Sequence, residues 1–448
     1  MADAPRVTTG RWGIDGADTI EGYLEHDGYE GLKKAVSMPP DEIIDEVKAS
    51  GLRGRGGAGF PTGAKWGFIP KDTGKPVYVC CNADEGEPGT FKDRELMERD
   101  PHQLIEGIAI TSYAVGCTQA FIYMRGEFLE PARRIERALA EAYDRSYLGK
   151  NVAGSKVSID IVMHRGAGSY ECGEETALLE SLEGKRGQPR LRPPFPAVEG
   201  LYGSPTVINN VETLATVPHI VRNGAGWFTG MGTEKSPGTK IFCVSGAVER
   251  PGNYEAPLGT PARVIIDELA GGVPGGKQVK AWVPGGSSTP FLTPELLDTP
   301  MDFESIQAAG SLLGTGAIVV LGEDDCIVEA VLRWLQFYAH ESCGKCTPCR
   351  EGTWWLVKVL HRMENGGGRM EDLPIMDDVG DNILFKSFCA FGDGAVSPIL
   401  SGLRHFRDEF ERHVEANGCP YKDRPVLAAA TPRTGGAEGT IPAGEVIP

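Results

Sequence analysis

Cys343, Cys346 and Cys349 are spaced by two residues each, and Cys389 follows forty residues after the third. Thiolates at that spacing can each take one corner of a single cubane, and a remote fourth closes it. Structural zinc sites divide their ligands into two separated pairs instead. The spacing therefore favours a 4Fe–4S cluster, with zinc as the rival. Between and after these cysteines lie Gly344, Lys345, Thr347, Pro348 and Gly352, small or polar residues that leave backbone N–H groups room to reach sulfide. The other cysteines, Cys80, Cys81, Cys117, Cys172, Cys243, Cys326 and Cys419, are expected to be buried small hydrophobes.

A second candidate site is rich in glycine. Gly54-Arg55-Gly56-Gly57-Ala58-Gly59 matches the dinucleotide-binding letters G-x-G-x-x-G, but the residues before it predict a helix where that motif needs a strand. What survives is physical. Four glycines in six residues let backbone amides approach a phosphate, and Arg53, Arg55 and Lys65 bring positive charge. A merely flexible loop is the alternative.

Acidic residues follow two predicted strands. Asn82, Asp84, Glu85 and Glu87 come directly after the first. Ligands of open α/β sheets bind at the carboxyl ends of strands. Glu171, Glu174 and Glu175 follow the second, at a predicted helix start, where the helix dipole alone also favours carboxylates. Together with Asn209 and Asn210 these loops suit a nucleotide or flavin, because carboxylates and amides complement sugar hydroxyls and the edge of a ring. Phe60, Phe68 and Phe195 are available to stack on a base, with core packing as the alternative for each. Iron–sulfur clusters move one electron, whereas nicotinamide moves a hydride. A chain holding both sites needs a flavin between them.

The elements that must position these residues are readable from hydropathy. A helix is predicted over Asp41–Ser50, behind Pro39-Pro40, and strands at Val77–Cys81, Ala120–Met124 and Ser158–Met163 alternate with helices near 101–115, 130–144 and from Cys172. That alternation predicts an α/β domain with a largely parallel sheet. Gln188–Pro196 reads as loop. From Lys240 the pattern becomes a small α+β unit: strands at Ile241–Ser245, Asn253–Pro257, Val279–Val283 and Ala317–Leu321, with a short helix at Arg263–Leu269. Beyond Ile327 the period is helical. Val328, Val331, Leu332, Leu335 and Tyr338 form one stripe, and Val396, Leu400, Leu403, Phe406, Phe410 and Val414 form another. With two helices between them, a C-terminal four-helix bundle is predicted. Residues 1–30 read as an irregular arm and residues 421–448 as a disordered tail.

The chain has 448 residues and a formal charge of −17, which argues against a general affinity for nucleic acid or anionic lipid. No signal peptide is read at Met1–Trp12. Two uncharged stretches, Gly107–Met124 and Ser305–Gly322, are long enough to test as membrane spans. Their glycines and hydroxyl residues make each a helix, a turn and a buried strand instead, so no span is expected.

Five segments carry a resemblance. These are Gly51–Gly63, Asn82–Phe91, Gly166–Thr176, Asn209–Thr213 and Glu341–Arg350. In that order, within residues 20–425, they resemble the NADH-binding flavoprotein (F) subunits of respiratory complex I, the bacterial NADH:quinone oxidoreductases. The resemblance implies a Rossmann-like FMN/NADH domain over 31–239, a ubiquitin-like α+β domain over 240–325 and a helical bundle with a 4Fe–4S cluster over 326–420. It implies FMN held around the glycine loop (Gly54, Arg55, Gly56, Gly57, Ala58, Gly59, Phe60, Pro61, Thr62, Gly63), with Lys65, Asn82, Asp84, Glu85, Tyr170, Gly173, Glu174, Asn209, Asn210 and Thr213. NAD(H) would lie on the flavin. Glu87 and Glu175 would sit at the nicotinamide end as candidate catalytic residues, and Phe60, Phe68, Phe195 and Arg192 would line the adenine slot. Cys343, Cys346, Cys349 and Cys389 would ligate the cluster.

The implied partners are a small thioredoxin-like 2Fe–2S subunit and a large multi-cluster iron–sulfur subunit. The implied location is peripheral, on the cytoplasmic face of the cell membrane. The diaphorase subunit of an NAD-linked hydrogenase or formate dehydrogenase is the nearest alternative, and a non-catalytic module with a structural cluster is a more distant one.

Overall fold

The computed structural model describes residues 5–421, so the C-terminal tail lies outside the described residues. Four parallel strands, β1 (Tyr78–Ala83), β2 (Gln119–Met124), β3 (Asp160–Arg165) and β4 (Thr206–Asn210), form a sheet in the order β3-β2-β1-β4. The central strands β1 and β2 are buried on both faces, which explains their near-continuous apolar runs. Val79, Cys81, Ala120, Ile122 and Val207 join the large core on one face, and Cys80, Phe121, Tyr123 and Ile208 join a smaller core on the other.

The large core is built from α1 (Ile20–Leu24), α2 (Glu30–Ala35), α3 (Pro40–Ala49), α4 (Thr62–Gly67), α5 (Lys92–Arg99), α6 (Pro101–Val115), α7 (Leu129–Asp144), α9 (Val211–Asn223) and α10 (Ala225–Thr229). The opposite face is covered by α8 (Glu175–Leu182), through Leu178, Leu179 and Leu182.

The chain leaves β1 towards β2 and β3, then returns to place β4 on β1's other side. Connections therefore diverge between β1 and β4, and the crevice at their carboxyl ends is the place where such sheets bind ligands. Strand pairing sets Cys81 beside Asn209 and Asn82 beside Asn210 at that crevice.

The second unit is a mixed sheet, β6-β5-β8-β7, from β5 (Thr239–Gly246), β6 (Gly252–Pro257), β7 (Val279–Val283) and β8 (Ala317–Gly322), with α11 (Phe303–Ala308) and a π-helical turn at Val264–Leu269. The third is helical: α12 (Ile327–Glu341), α13 (Thr347–Glu364), α14 (Asp372–Ile383), α15 (Phe391–His405) and α16 (Arg407–Glu415) around one apolar core. The predicted four helices are thus corrected to five. The apolar stripe from Val396 to Val414 keeps its phase across Phe406, where the backbone leaves helical geometry (φ −133°, ψ 29°), so periodicity alone runs α15 into α16.

The irregular N-terminal arm is also corrected. It contains α1 and is fastened to the body: the N–H groups of Val7, Thr8 and Thr9 donate to the Glu255 carboxylate at 2.8–3.2 Å, and Arg11 Nε lies 2.8 Å from Asp100. No helix among the described residues is long and apolar enough to cross a membrane.

Candidate functional site

The glycine loop is the tip of a narrow turn between α3 and α4, closed by Gly54 N–H donating to Phe60 O at 2.9 Å and Thr62 N–H donating to Leu52 O at 2.8 Å. It is docked on the crevice. Arg55 N–H donates to Thr213 Oγ1 at 2.8 Å, in the first turn of α9. A Cβ on Gly56 would lie 2.8 Å from Cβ of Asn210, so only glycine lets the loop approach the end of β4 this closely. Across the crevice, a Cβ on Gly173 would lie 3.2 Å from Asp84 O, and Asn82 Nδ2 donates to Gly173 O at 2.8 Å. Asn209 is fixed by Trp66 Nε1 donating to its Oδ1 at 2.9 Å. Four chain segments therefore meet around one crevice, two of them through glycines.

Asp84 Oδ1 is buried and has no hydrogen-bond partner among the described residues. Burial pushes this carboxyl up to about 7, partly opposed by Arg125. A buried acceptor without a partner is costly, by roughly 1–3 kcal/mol, and marks a place where a hydroxyl-bearing ligand would be welcome. The crevice, its backbone amides and this orphaned oxygen fit a flavin with its sugar-like chain.

A charged bridge borders the crevice. Lys65 Nζ lies 2.8 Å from Glu175 Oε2, and Arg192 Nη1 lies 3.0 Å from Glu175 Oε1. Burial acts to raise the Glu175 carboxyl, but Lys65 and Arg192 outweigh it and hold it below its ordinary value. Phe60 and Phe68 are exposed and adjacent, with ring centroids 6.1 Å apart. Phe195 is exposed too, and makes no ring contact with either among the described residues.

Several sequence-predicted residues hold the site without facing it. Arg55 is a correction: its guanidinium is wholly buried and donates to the carbonyls of Pro237 and Thr239, so it brings no charge to a phosphate. Arg53 is taken by Glu304 and the face of Phe303. Of the three cations read from sequence, Lys65 alone borders the crevice. Thr62 and Thr213 are fully buried, Gly59 packs on Phe303 and Gly63 on Lys48, while Ala58 is exposed and Pro61 bridges to Arg53. Glu85 accepts from the N–H groups of Asp93 and Arg94 at 2.8 and 3.0 Å, capping α5. Glu174 caps α8 by accepting from Thr176 and Ala177 N–H, both at 2.9 Å. Helix capping is thus the observed role of these two carboxylates.

Glu87 is buried and reaches across units. It accepts from Tyr170 Oη at 2.6 Å and from Ser288 N–H, in the second unit, at 2.7 Å. Burial raises its carboxyl, and these donors partly offset the rise. The ring of Tyr170 packs edge-on against Phe337, Tyr338 and Phe391 of the helical unit.

The four cysteines converge. About 260 Å³ of space, part of it open to solvent, is lined by Cys343, Cys346, Cys349 and Cys389 with Glu171, Lys345 and Phe388. Cys346 and Cys349 start α13, and Cys389 precedes α15. Ligand atoms around one tetrahedral zinc lie about 3.8 Å apart for sulfur pairs. The four cysteine sulfurs line one common space without gathering as tightly as the other cysteine-containing cluster of the helical unit, Cys326, Glu364, His413 and Cys419. Four cysteine sulfurs around one space are the donor set of a 4Fe–4S cluster.

The two sites share a segment, and the sequence, which marks Gly166–Thr176 for the flavin side, carries no signal that it also reaches the cysteine pocket. In the 3₁₀ turn Tyr170–Gly173, Gly173 faces the crevice while Glu171 accepts from Cys389 Sγ at 3.3 Å. Gln188 Nε2 adds a hydrogen bond to Cys343 O at 2.9 Å.

Three parts of the chain match known protein families. Residues 47–219 match the Nuo51 FMN-binding domain, 241–292 an SLBB domain, and 329–413 the NADH-ubiquinone oxidoreductase-F iron–sulfur binding region. The chain is 57% identical over 431 residues to the F subunit of the Mycobacterium tuberculosis NADH-quinone oxidoreductase, covering 95% of this chain and 97% of that one. It is 57% identical to the corresponding F subunit of Streptomyces coelicolor, over 93% of this chain and 92% of that one. Among solved structures, a chain of an NAD+-reducing [NiFe]-hydrogenase in the H2-reduced state superposes with a TM-score of 0.78 at 38% identity, over 88% of this chain. This chain spans 66% of that hydrogenase chain's length. With two family domains at the two sites and near-full-length likeness to these relatives, the chain belongs to the family of F subunits of NADH-quinone oxidoreductase.

Proposed function

We propose that the crevice between β1 and β4 takes NADH on FMN and that electrons leave one at a time through the cysteine pocket towards quinone. The observation that carries this reading is the shared turn Tyr170–Gly173, which touches both sites within four residues. Flavin is the group that accepts a hydride from nicotinamide and releases electrons singly, and the 4Fe–4S cluster carries single electrons onward.

The chain's own contribution is positioning and exclusion of water. Asn82, Asn209 and Asn210 present amides at the strand ends, and the backbone around Gly56 and Gly173 forms the walls. Lys65, Glu175 and Arg192 orient the nucleotide, with Phe60, Phe68 and Phe195 offered to the adenine. Glu87 holds the Asn82–Phe91 loop against the second unit. No side chain is required as proton donor or acceptor for a hydride transfer.

We extend the reading to the finer assignments. Domain borders fall near 239 and 325, with a ubiquitin-like second domain. The partners are a thioredoxin-like 2Fe–2S subunit and a large multi-cluster subunit, on the cytoplasmic face of the membrane. Curated relatives of near-equal length support the quinone-linked assembly over the hydrogenase alternative. Under nitrogen, NADH is expected to bleach the visible absorbance of the purified, iron-loaded protein. An unbleached spectrum would refute the proposal.

Glu175→Gln is expected to raise the NADPH-to-NADH ratio of kcat/KM roughly tenfold, about 1.4 kcal/mol, without changing flavin content. The reason is that Lys65 and Arg192 lose the carboxylate they share and become available to a 2′-phosphate. An unaltered ratio in steady-state kinetics would contradict this.

A further inference from the structure

At the far end of the helical unit from the cysteine pocket, four side chains from four places in the chain converge. They are Cys326, the N-cap of α12; Glu364, the last residue of α13; His413 in α16; and Cys419 beyond it. One ligand atom from each lies within 4.8 Å of the others, and the first three residues are buried. Cys326 Sγ is 3.3 Å from His413 Nε2 and 3.8 Å from Cys419 Sγ, and His413 Nε2 is 3.3 Å from Glu364 Oε2. Edges of a tetrahedron around zinc, built from bonds of about 2.0–2.3 Å, run from roughly 3.3 to 3.8 Å. We propose that these residues form a structural zinc site separate from the iron–sulfur cluster.

Three observations carry this. The donors, two sulfurs, one imidazole and one carboxylate, are those zinc prefers, and the set is closed as structural sites are. The imidazole is pre-set for a metal. His413 Nδ1 lies 2.6 Å from Glu409 O, a carbonyl that can only accept, so Nδ1 carries the proton and Nε2 turns its lone pair to the other three ligands. The position is also mechanically sensible. The helix α12 runs from Cys326 to the segment before Cys343, and α13 returns from Cys346 and Cys349 to Glu364. The antiparallel pair would be pinned at both ends, by the cluster at one and by zinc at the other. Fifteen residues of α12 keep the two sites about 22 Å apart.

The sequence reading of Cys326 and Cys419 as isolated small hydrophobes does not account for this convergence, since they are brought together across 93 residues with a histidine and a glutamate between them. All cysteines are free thiols, so a disulfide is not the observed alternative.

The test uses the full chain purified without oxygen and loaded with iron and flavin. Elemental analysis is expected to show about one zinc beside about four iron per chain. X-ray absorption at the zinc edge should give two sulfurs at about 2.3 Å and two lighter ligands at about 2.0–2.2 Å. The double variant Cys419→Ser, His413→Gln is expected to lose the zinc and keep iron and flavin. If that variant does not fold, differential alkylation of the wild type decides. Cys326 and Cys419 should be protected until a strong chelator is added. Absence of zinc, an all-nitrogen-and-oxygen shell, zinc retained by the double variant, free alkylation without chelator, or recovery of a Cys326–Cys419 disulfide would each overturn the proposal.

Discussion

Cys346→Ala is expected to abolish the low-temperature EPR signal of the cluster and reduce electron delivery beyond the flavin to background, while FMN remains bound. Cys346 lies at the mouth of α13 in the helical unit, and no segment of the flavin crevice is built on it. Removing one of four thiolates leaves a cubane corner open to water. The crevice keeps its own supports, the Gly54–Phe60 closure and the contacts of Asn82 and Asn209. Flavin fluorescence after acid release, measured beside EPR, separates the two sites. Loss of both together would show that the crevice depends on the cluster.

Lys92→Met is expected to destabilise the fold by about 3–5 kcal/mol, because it removes one partner from a buried ionic group. Lys92 is 1% exposed, as is Glu212, and its Nζ lies 2.7 Å from Asp93 and 2.9 Å from Glu212. Burial works against the ammonium, but Asp93, Glu212 and Glu85 hold it well above its ordinary value. Glu212 in turn bonds Lys240 at 3.1 Å and the N–H of Ile241 at 2.8 Å, on β5 of the second unit. Methionine conserves the length of the side chain and removes the cation that Asp93 and Glu212 share, leaving Lys240 as the remaining close partner of Glu212. The first thermal transition should fall by roughly 10 °C or more. Flavin retention should fall with it, since Asp93 also accepts from Asn210 Nδ2 at 2.6 Å. A transition unchanged in calorimetry would remove the buried network from the account.

What the sequence made legible was whatever is local. Three of the four candidate cluster thiols are close neighbours in the chain, and the alternation of strands and helices needs only windows of a dozen residues. The strand β4 was missed because it offers five residues, two of them asparagine, and so little apolar signal, although it creates the crevice by joining β1 from the other side. The break at Phe406 was invisible because the apolar phase continues through it. Arg55 was misread because its charge is spent on carbonyls about 180 residues away, a long-range fact that no spacing encodes. The histidine and cysteines at the far end of the bundle escaped for the same reason.

The turn from Tyr170 to Gly173 has a further consequence. Two residues of chain span at most about 7 Å, so the wall of the crevice and the partner of Cys389 move as one body. Tunnelling rates decay exponentially with the gap an electron must cross. A hinge between the two centres would make every breathing motion of the domains a fluctuation in current. With flavin and cluster in the sites proposed above, one tight turn carrying both contacts would tie that gap to local covalent geometry.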